Sequence, residues 1–302
     1  MAMNRRTWLE KAATACALPL LSTQSWMKAN MHQKQIPSTG ELLPVIGLGT
    51  WQTFDVSDSP QENARLSEVL QTLIQQGGKV IDSSPMYGRS EDVVGRLSTD
   101  TGVNETLFIA TKVWSTGRER GIEQMNESMS LLRRKRLDLM QIHNLTDWQT
   151  HLPTLRRWKE EGRIRYIGIT HYTESAYNHI EKILREEPID FLQINYSLAS
   201  RGAEQRLFPL AIEKKVAVLI NRPFEEGSLF RRVKGQELPA WVADLDIKSW
   251  GQFFLKFIVS HPAVSCAIPG TSKAHHMLDN AMAGFGRMPD EKERLKMISM
   301  LK

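Results

Sequence analysis

A chain of 302 residues, 41% hydrophobic and 24% charged, can bury the core of one large domain, which excludes a disordered polypeptide. Its formal net charge is +5, but residues 1–29 hold four bases (Arg5, Arg6, Lys11, Lys28) against one acid (Glu10), leaving +2 on the body and no electrostatic footprint for nucleic acid. No apolar run approaches the roughly 18 residues of a membrane span. The two cysteines, Cys16 and Cys266, stand in no metal-ligand spacing with histidine, and without the N-terminus only Cys266 remains.

The first element in chain order is an address rather than part of the fold. Arg5-Arg6 precede Trp8-Leu9, and an apolar stretch from Ala12 to Leu21 follows, interrupted by Pro19. A basic segment before a short apolar one is the layout of an export signal, and the pair of arginines resembles the twin-arginine (Tat) type. Residues 1–30 are therefore expected to be a Tat signal peptide, read by the Tat machinery. The expected location is the periplasm or another exported site, with the cytoplasm as the alternative. Residues 31–302 form the folded body.

In the body, short apolar runs alternate with longer amphipathic ones. Strands are predicted at Val45–Gly49, Val80–Asp82, Leu107–Thr111, Leu137–Ile142, Ile164–Ile169, Phe191–Ile194, Val216–Ile220 and Val264–Ile268. Their nearly continuous apolar character suits strands covered on both faces. Helices are predicted between them at Glu62–Gln75, Glu119–Arg134, Leu152–Glu161, Glu174–Arg185, Glu204–Glu213, Trp250–Ser260 and Lys273–Ala283. One more follows near Asp290–Leu301. Eight strands separated by helices predict parallel pairing, and the closed solution is a (β/α)8 TIM barrel. The rival, an open doubly wound sheet, would want a glycine-rich first turn; "GLGT" at Gly47–Thr50 lacks its third glycine. A long irregular stretch from Asn221 to about Asp246 reads as a functional loop.

A barrel builds its site at the C-terminal ends of its strands. Those ends bring an acid (Asp82), a phenol (Tyr87), an ammonium (Lys112) and an imidazole (His143) to one rim. Each alone has an ordinary structural reading, as turn-maker, surface ring, solvated lysine or core histidine; four titratable groups at three successive strand ends are far more specific. Asp82 with the "SSPMYGRSE" that follows it (83–91), "TKVW" (111–114) and "QIHN" (141–144) resemble the aldo-keto reductase superfamily. So do "LPVIGLGTWQ", "RYIGITHY", "QINYSLASR" and "IPGTSKAHHMLDN", in family order, across roughly residues 36–286. The resemblance implies a catalytic tetrad. Tyr87 donates a proton to the reduced carbonyl, Lys112 lowers the tyrosine pKa, Asp82 pairs with Lys112, and His143 orients the substrate.

The same resemblance implies an extended NADP(H), with NAD(H) as the alternative, lying across the barrel top. Gly49, Thr50, Trp51, Asp82, Thr170, His171 and Gln193 fall in its nicotinamide region; His171 stands where the family has an asparagine on the carboxamide, and Gln193 matches the glutamine on that amide. Asn221 and Arg222 replace the family's Tyr-Ser pair, so the stacking aromatic is missing; Arg222, Pro223 and Phe224 continue that wall. Gly270, Thr271, Ser272 and Lys273 would face the adenosine phosphate, His276 stands at the family's 2′-phosphate arginine, and Asp279 and Asn280 match its adenine contacts. Trp51, Trp114, Asn144 and Phe224 would line an open substrate pocket. The expected protein is a monomeric carbonyl reductase acting on small aldehydes and ketones, without a metal. The alternative is a redox sensor or partner subunit that holds cofactor without multiple turnover.

Overall fold

The computed structural model describes residues 30–301; the export signal expected at residues 1–30 lies outside them but for Asn30. The described chain opens with a hairpin, β1 (Gln33–Gln35) and β2 (Leu42–Pro44), paired antiparallel. The elements then run β3 (Leu48–Gly49), α1 (Pro60–Gln75), β4 (Val80–Asp82), α2 (Ser90–Asp100), β5 (Phe108–Val113) and α3 (Arg118–Leu131). Next come β6 (Leu137–His143), α4 (Trp148–Glu160), β7 (Ile164–Thr170), α5 (Tyr177–Glu186), β8 (Phe191–Asn195) and α6 (Leu207–Glu213). β9 (Ala217–Asn221), a short α7 (Ser228–Arg232), α8 (Trp250–Val259), β10 (Val264–Ala267), α9 (Ala274–Met282) and α10 (Glu291–Ser299) complete the order.

Strands β3 to β10 pair in parallel in sequence order. Parallel bridges Ile46–Ala267 and Gly49–Gly270 join the two ends, so the sheet closes into the expected (β/α)8 barrel. The seam is glycine-built: a Cβ on Gly49 would lie 2.8 Å from Ile268 O, too close for any side chain. The hairpin and α2 are absent from the predicted elements, and the first barrel strand is shorter than its predicted Val45–Gly49 span. α2 escapes the helical pattern because its buried face includes Ser90, Glu91 and Ser98 beside Val93, Val94 and Leu97. The long irregular stretch after β9 contains α7 and a 3₁₀ turn at Ala240–Leu245.

Strand alternation sorts the side chains into two cores. Ile81, Ile109, Val113, Ile142, Ile169 and Val218 point outward and pack with helix residues such as Leu66, Val69, Met125, Leu155 and Phe253. Val80, Phe108, Ala110, Leu139, Tyr166, Phe191, Ala217 and Leu219 fill the interior. The hairpin contributes Ile36 and Leu43 to that interior cluster, and the Tyr166 hydroxyl bonds to Glu41 Oε2 (2.8 Å) and Thr39 Oγ1 (2.8 Å) between its strands. The hairpin thus plugs the bottom. Two or four residues further along the strands, the interior turns polar: Asp82, Lys112, Gln141, His143, Thr170, Gln193 and Asn221 form the top layer. Register puts them side by side, with Lys112 opposite Gln141, His143 opposite Thr170, and Thr170 opposite Gln193. Gly168 makes room in this layer, since a Cβ there would meet Gln141 Cγ at 2.8 Å.

Candidate active site

Lys112 lies within β5 rather than after it, and its side chain is fully buried. Burial alone would strip its proton, but Nζ donates to Asp82 Oδ2 (2.6 Å) and Ser83 O (2.7 Å), and sits 4.8 Å from the Tyr87 ring centroid. Against the burial, the carboxylate and the phenol move the lysine pKa upward on balance. Asp82 accepts further bonds on Oδ1 from Gln141 Nε2 (3.0 Å) and Gln193 Nε2 (2.7 Å). A buried carboxylate with three donors is well compensated, as a buried charge must be.

Tyr87 follows from the turn after β4, where its N–H donates to Ser84 O (2.9 Å). Its pKa is raised, not lowered as the sequence led one to expect. Burial penalises the phenolate more than Lys112 stabilises it, and Asp82 adds to the rise. His143 ends β6 with its ring edge-on to Tyr87, centroids 5.8 Å apart. Burial, the nearby Lys112 and His171 push its pKa down to about 3, so the ring is neutral at physiological pH. Its Nδ1 lies 3.1 Å from Ser84 Oγ.

These groups open onto a cavity of about 750 Å³, within the range of small-molecule sites. Its wall includes Gly49, Thr50, Trp51, Asp82, Tyr87, His143, Asn144, Thr170, His171, Gln193, Asn221, Arg222, Pro223, Phe224 and Gly270. Lys112 stands behind Asp82. Trp114 is beside the wall, its ring 6.3 Å from His143. Thr271, Ser272, Lys273, His276, Asp279 and Asn280 are not on the wall; they follow Gly270 into α9. Thr271 Oγ1 accepts the Lys273 N–H (3.1 Å). Asp279, expected on the adenine, accepts Ser249 Oγ–H (2.7 Å) and a Gln252 Nε2–H (2.7 Å), holding the start of α8. His276 has its pKa lowered by burial, His275 and Lys273, so it offers little positive charge to a phosphate at neutral pH.

Gln193 also differs from expectation. Its Nε2 is committed to Asp82 and to Gln141 Oε1 (3.3 Å), while its Oε1 accepts from Thr170 Oγ1 (3.1 Å) and Asn221 Nδ2 (3.5 Å). Asn221 also donates to His171 O (3.1 Å), and its Oδ1 is buried without a partner. The Thr173 N–H donates to His171 Nδ1 (3.2 Å), which places the neutral ring's proton on Nε2. Arg222 pairs with Glu226 (3.2 Å), and its Nε is a second unpartnered buried atom. The sequence reading missed Ser84, Gln141, Met86, Tyr172, Glu226 and Phe230. Gln141 was legible, because it stands two residues before His143 and so shares its face.

The chain matches the model of the aldo/keto reductase family over residues 45–297, and it therefore belongs to that family. Among curated relatives, it is 25% identical over 205 residues to aldo-keto reductase YhdN of Bacillus subtilis, covering 63% of this chain and 61% of that one. That match spans under two thirds of the relative's length. It is 28% identical over 242 residues to the NADH-specific methylglyoxal reductase of Escherichia coli, covering 68% of this chain and 72% of the other. The barrel superposes on an aldo-keto reductase from Klebsiella pneumoniae solved in complex with NADPH. There the TM-score is 0.75 at 23% identity, covering 90% and 96% of the two chains. Among the described residues there is no cluster of three or more metal-ligating side chains, and no helix long and apolar enough to cross a membrane.

Proposed function

We propose that this chain is an NADP-dependent carbonyl reductase, converting aldehydes and ketones to alcohols with Tyr87 as general acid. The observation that carries the reading is the fully buried Lys112, held between the Asp82 carboxylate and the Tyr87 ring at the cavity floor. The raised tyrosine pKa keeps Tyr87 protonated at rest, the state an acid needs. When bound, NADPH supplies the hydride to the carbonyl carbon. Tyr87 donates its hydroxyl proton to the carbonyl oxygen as the new C–H bond forms. Lys112 stabilises the phenolate left behind, and Asp82 holds Lys112 in place. His143, neutral, hydrogen-bonds the same oxygen and orients it. A small α-oxoaldehyde is a sensible substrate, in keeping with the methylglyoxal reductase relative.

The cavity's unsatisfied groups fit the nucleotide. His171 Nε2–H can donate to a carboxamide oxygen, Asn221 Oδ1 can accept from the amide nitrogen, and Arg222 can reach a phosphate. Lys273 is the cation at the start of α9 for a 2′-phosphate, and the NADPH complex of the Klebsiella relative supports that preference. Trp51, Trp114, Asn144 and Phe224 guide the substrate, and the chain acts as a monomer.

The test is NADPH oxidation with a panel of aldehydes and dicarbonyls, using protein that begins near Met31. Tyr87→Phe is expected to lose about 10³-fold in kcat while binding NADPH unchanged. If neither protein turns over and both bind NADPH tightly, the chain is a cofactor-holding sensor or partner instead. The export address at residues 1–30 is part of the proposal, supported by Arg5-Arg6 ahead of the apolar run. Replacing both arginines by lysine should trap the precursor in the cytoplasm; unchanged fractionation would refute it.

A further inference from the structure

The carbonyl-orienting role of His143 requires a proton on the ring nitrogen that meets the ligand, and nothing in the ring itself decides which nitrogen carries it. We propose that Ser84 is a positioning residue: its hydroxyl donates to His143 Nδ1 and so fixes the imidazole proton on Nε2. This rests on the reductase reading for its consequence, but the proton assignment stands on geometry alone.

Ser84 is fully buried, two residues past the end of β4. Its Oγ has two partners among the described residues: the Met86 N–H at 3.1 Å and His143 Nδ1 at 3.1 Å. An amide N–H can only donate, so Oγ is an acceptor in the first contact. Nδ1 is then the sole acceptor for the serine's own proton. In the opposite tautomer Nδ1–H would donate to Oγ. The oxygen would receive two donors, and its own proton would be buried with nowhere to go, which native structures avoid. The choice matters, because that tautomer would turn a lone pair on Nε2 toward a carbonyl oxygen and repel it. A neutral ring is assured by its burial and the neighbouring Lys112 ammonium.

The same residue also shapes the acid's turn. Ser84 O accepts the Tyr87 N–H (2.9 Å), so one residue ties His143 through its side chain and Tyr87 through its main chain. Substituting the side chain alone separates the two effects.

The experiment is ¹⁵N–¹H spectroscopy of protein labelled in histidine, with His143 assigned by the signal lost in His143→Gln. The wild type is expected to show a protonated Nε2 and an unprotonated, hydrogen-bonded Nδ1. Ser84→Ala should give a mixed tautomer signal and a kcat about 10- to 100-fold lower, with the Kd for NADPH within twofold. Ser84→Thr keeps a hydroxyl and should restore both the Nε2–H signal and most of kcat. A wild-type spectrum with the proton on Nδ1 overturns the inference, as does an alanine variant with unchanged tautomer and kcat. Should Ser84→Ala fail to fold, the wild-type and threonine spectra decide. Absence of NADPH oxidation by wild type and Tyr87→Phe alike would sink the reductase reading while leaving the tautomer result intact.

Discussion

The floor and the rim of the cavity are built on opposite terms. On the floor, Asp82, Lys112, Gln141 and Gln193 come from regular strands, and their charges and amide hydrogens are matched to partners across the barrel. On the rim, backbone conformation is strained and partners run short. Asn144, Leu145 and Asp147 take positive φ after β6, and Arg222, Glu225 and Glu226 do so after β9. Asn144, Asn221 and Arg222 each bury a polar atom without a partner, while Trp51, Met86, Tyr172 and Phe230 stand 40–46% exposed. A closed network fixes one chemistry. An open one, on loops, leaves groups free for a ligand to satisfy.

The largest test of this contrast removes the floor's cation. Lys112→Met would leave the Asp82 carboxylate buried without its counter-ion, so unfolding free energy should drop by about 3–5 kcal/mol, with activity lost. Denaturant titration reads it, and a loss below about 1 kcal/mol would mean the floor is no more committed than the rim. A smaller effect comes from just behind the floor. Glu91 is buried against Thr111 and Ser128, and burial pushes its pKa up to about 7. The folded state therefore holds a proton that the unfolded state, near the ordinary 4.5, has released. Its contribution is fully present below pH 4.5 and is lost as pH rises through 7. That amounts to about 3 kcal/mol, to order of magnitude. Glu91→Gln should flatten this slope between about pH 4.5 and 7.5; an unchanged Tm profile would place the titration elsewhere. The smallest effect belongs to the rim. Arg222→Ala should weaken NADPH binding about 5- to 10-fold by calorimetry, with kcat and Tm nearly unchanged. Equal affinity would show that its guanidinium does not meet the nucleotide.

The same contrast explains what could be read in the sequence. The barrel was legible because eight apolar runs alternate with helical stripes. The floor was legible because alternation along β4, β5 and β6 must send Asp82, Lys112 and His143 the same way. The commitment of Gln193 to Asp82 was not, since those residues lie 111 positions apart and only closure joins them. The sense of the Tyr87 shift was missed for a related reason: sequence names the neighbouring cation, but burial outweighs it. On the rim, Tyr172 sits in the loop after β7 and Phe230 in the five-residue α7, segments too short to carry a periodic signature. The hairpin β1–β2 escaped because only Ile36 and Leu43 mark its inward side.

The seam between β3 and β10 has a dynamic consequence. It joins the first and last strands of the barrel and rests on isolated bridges, with Gly47 N–H to Ala267 O (2.8 Å) and Gly49 N–H to Pro269 O (3.2 Å) among its bonds. Such a long-range joint is costly in chain entropy to close. Gly49 and Gly270, paired across it, also line the cavity. A nucleotide lying over both would act as a latch on the cylinder, and its arrival should be felt as slower amide hydrogen exchange along the staves on either side.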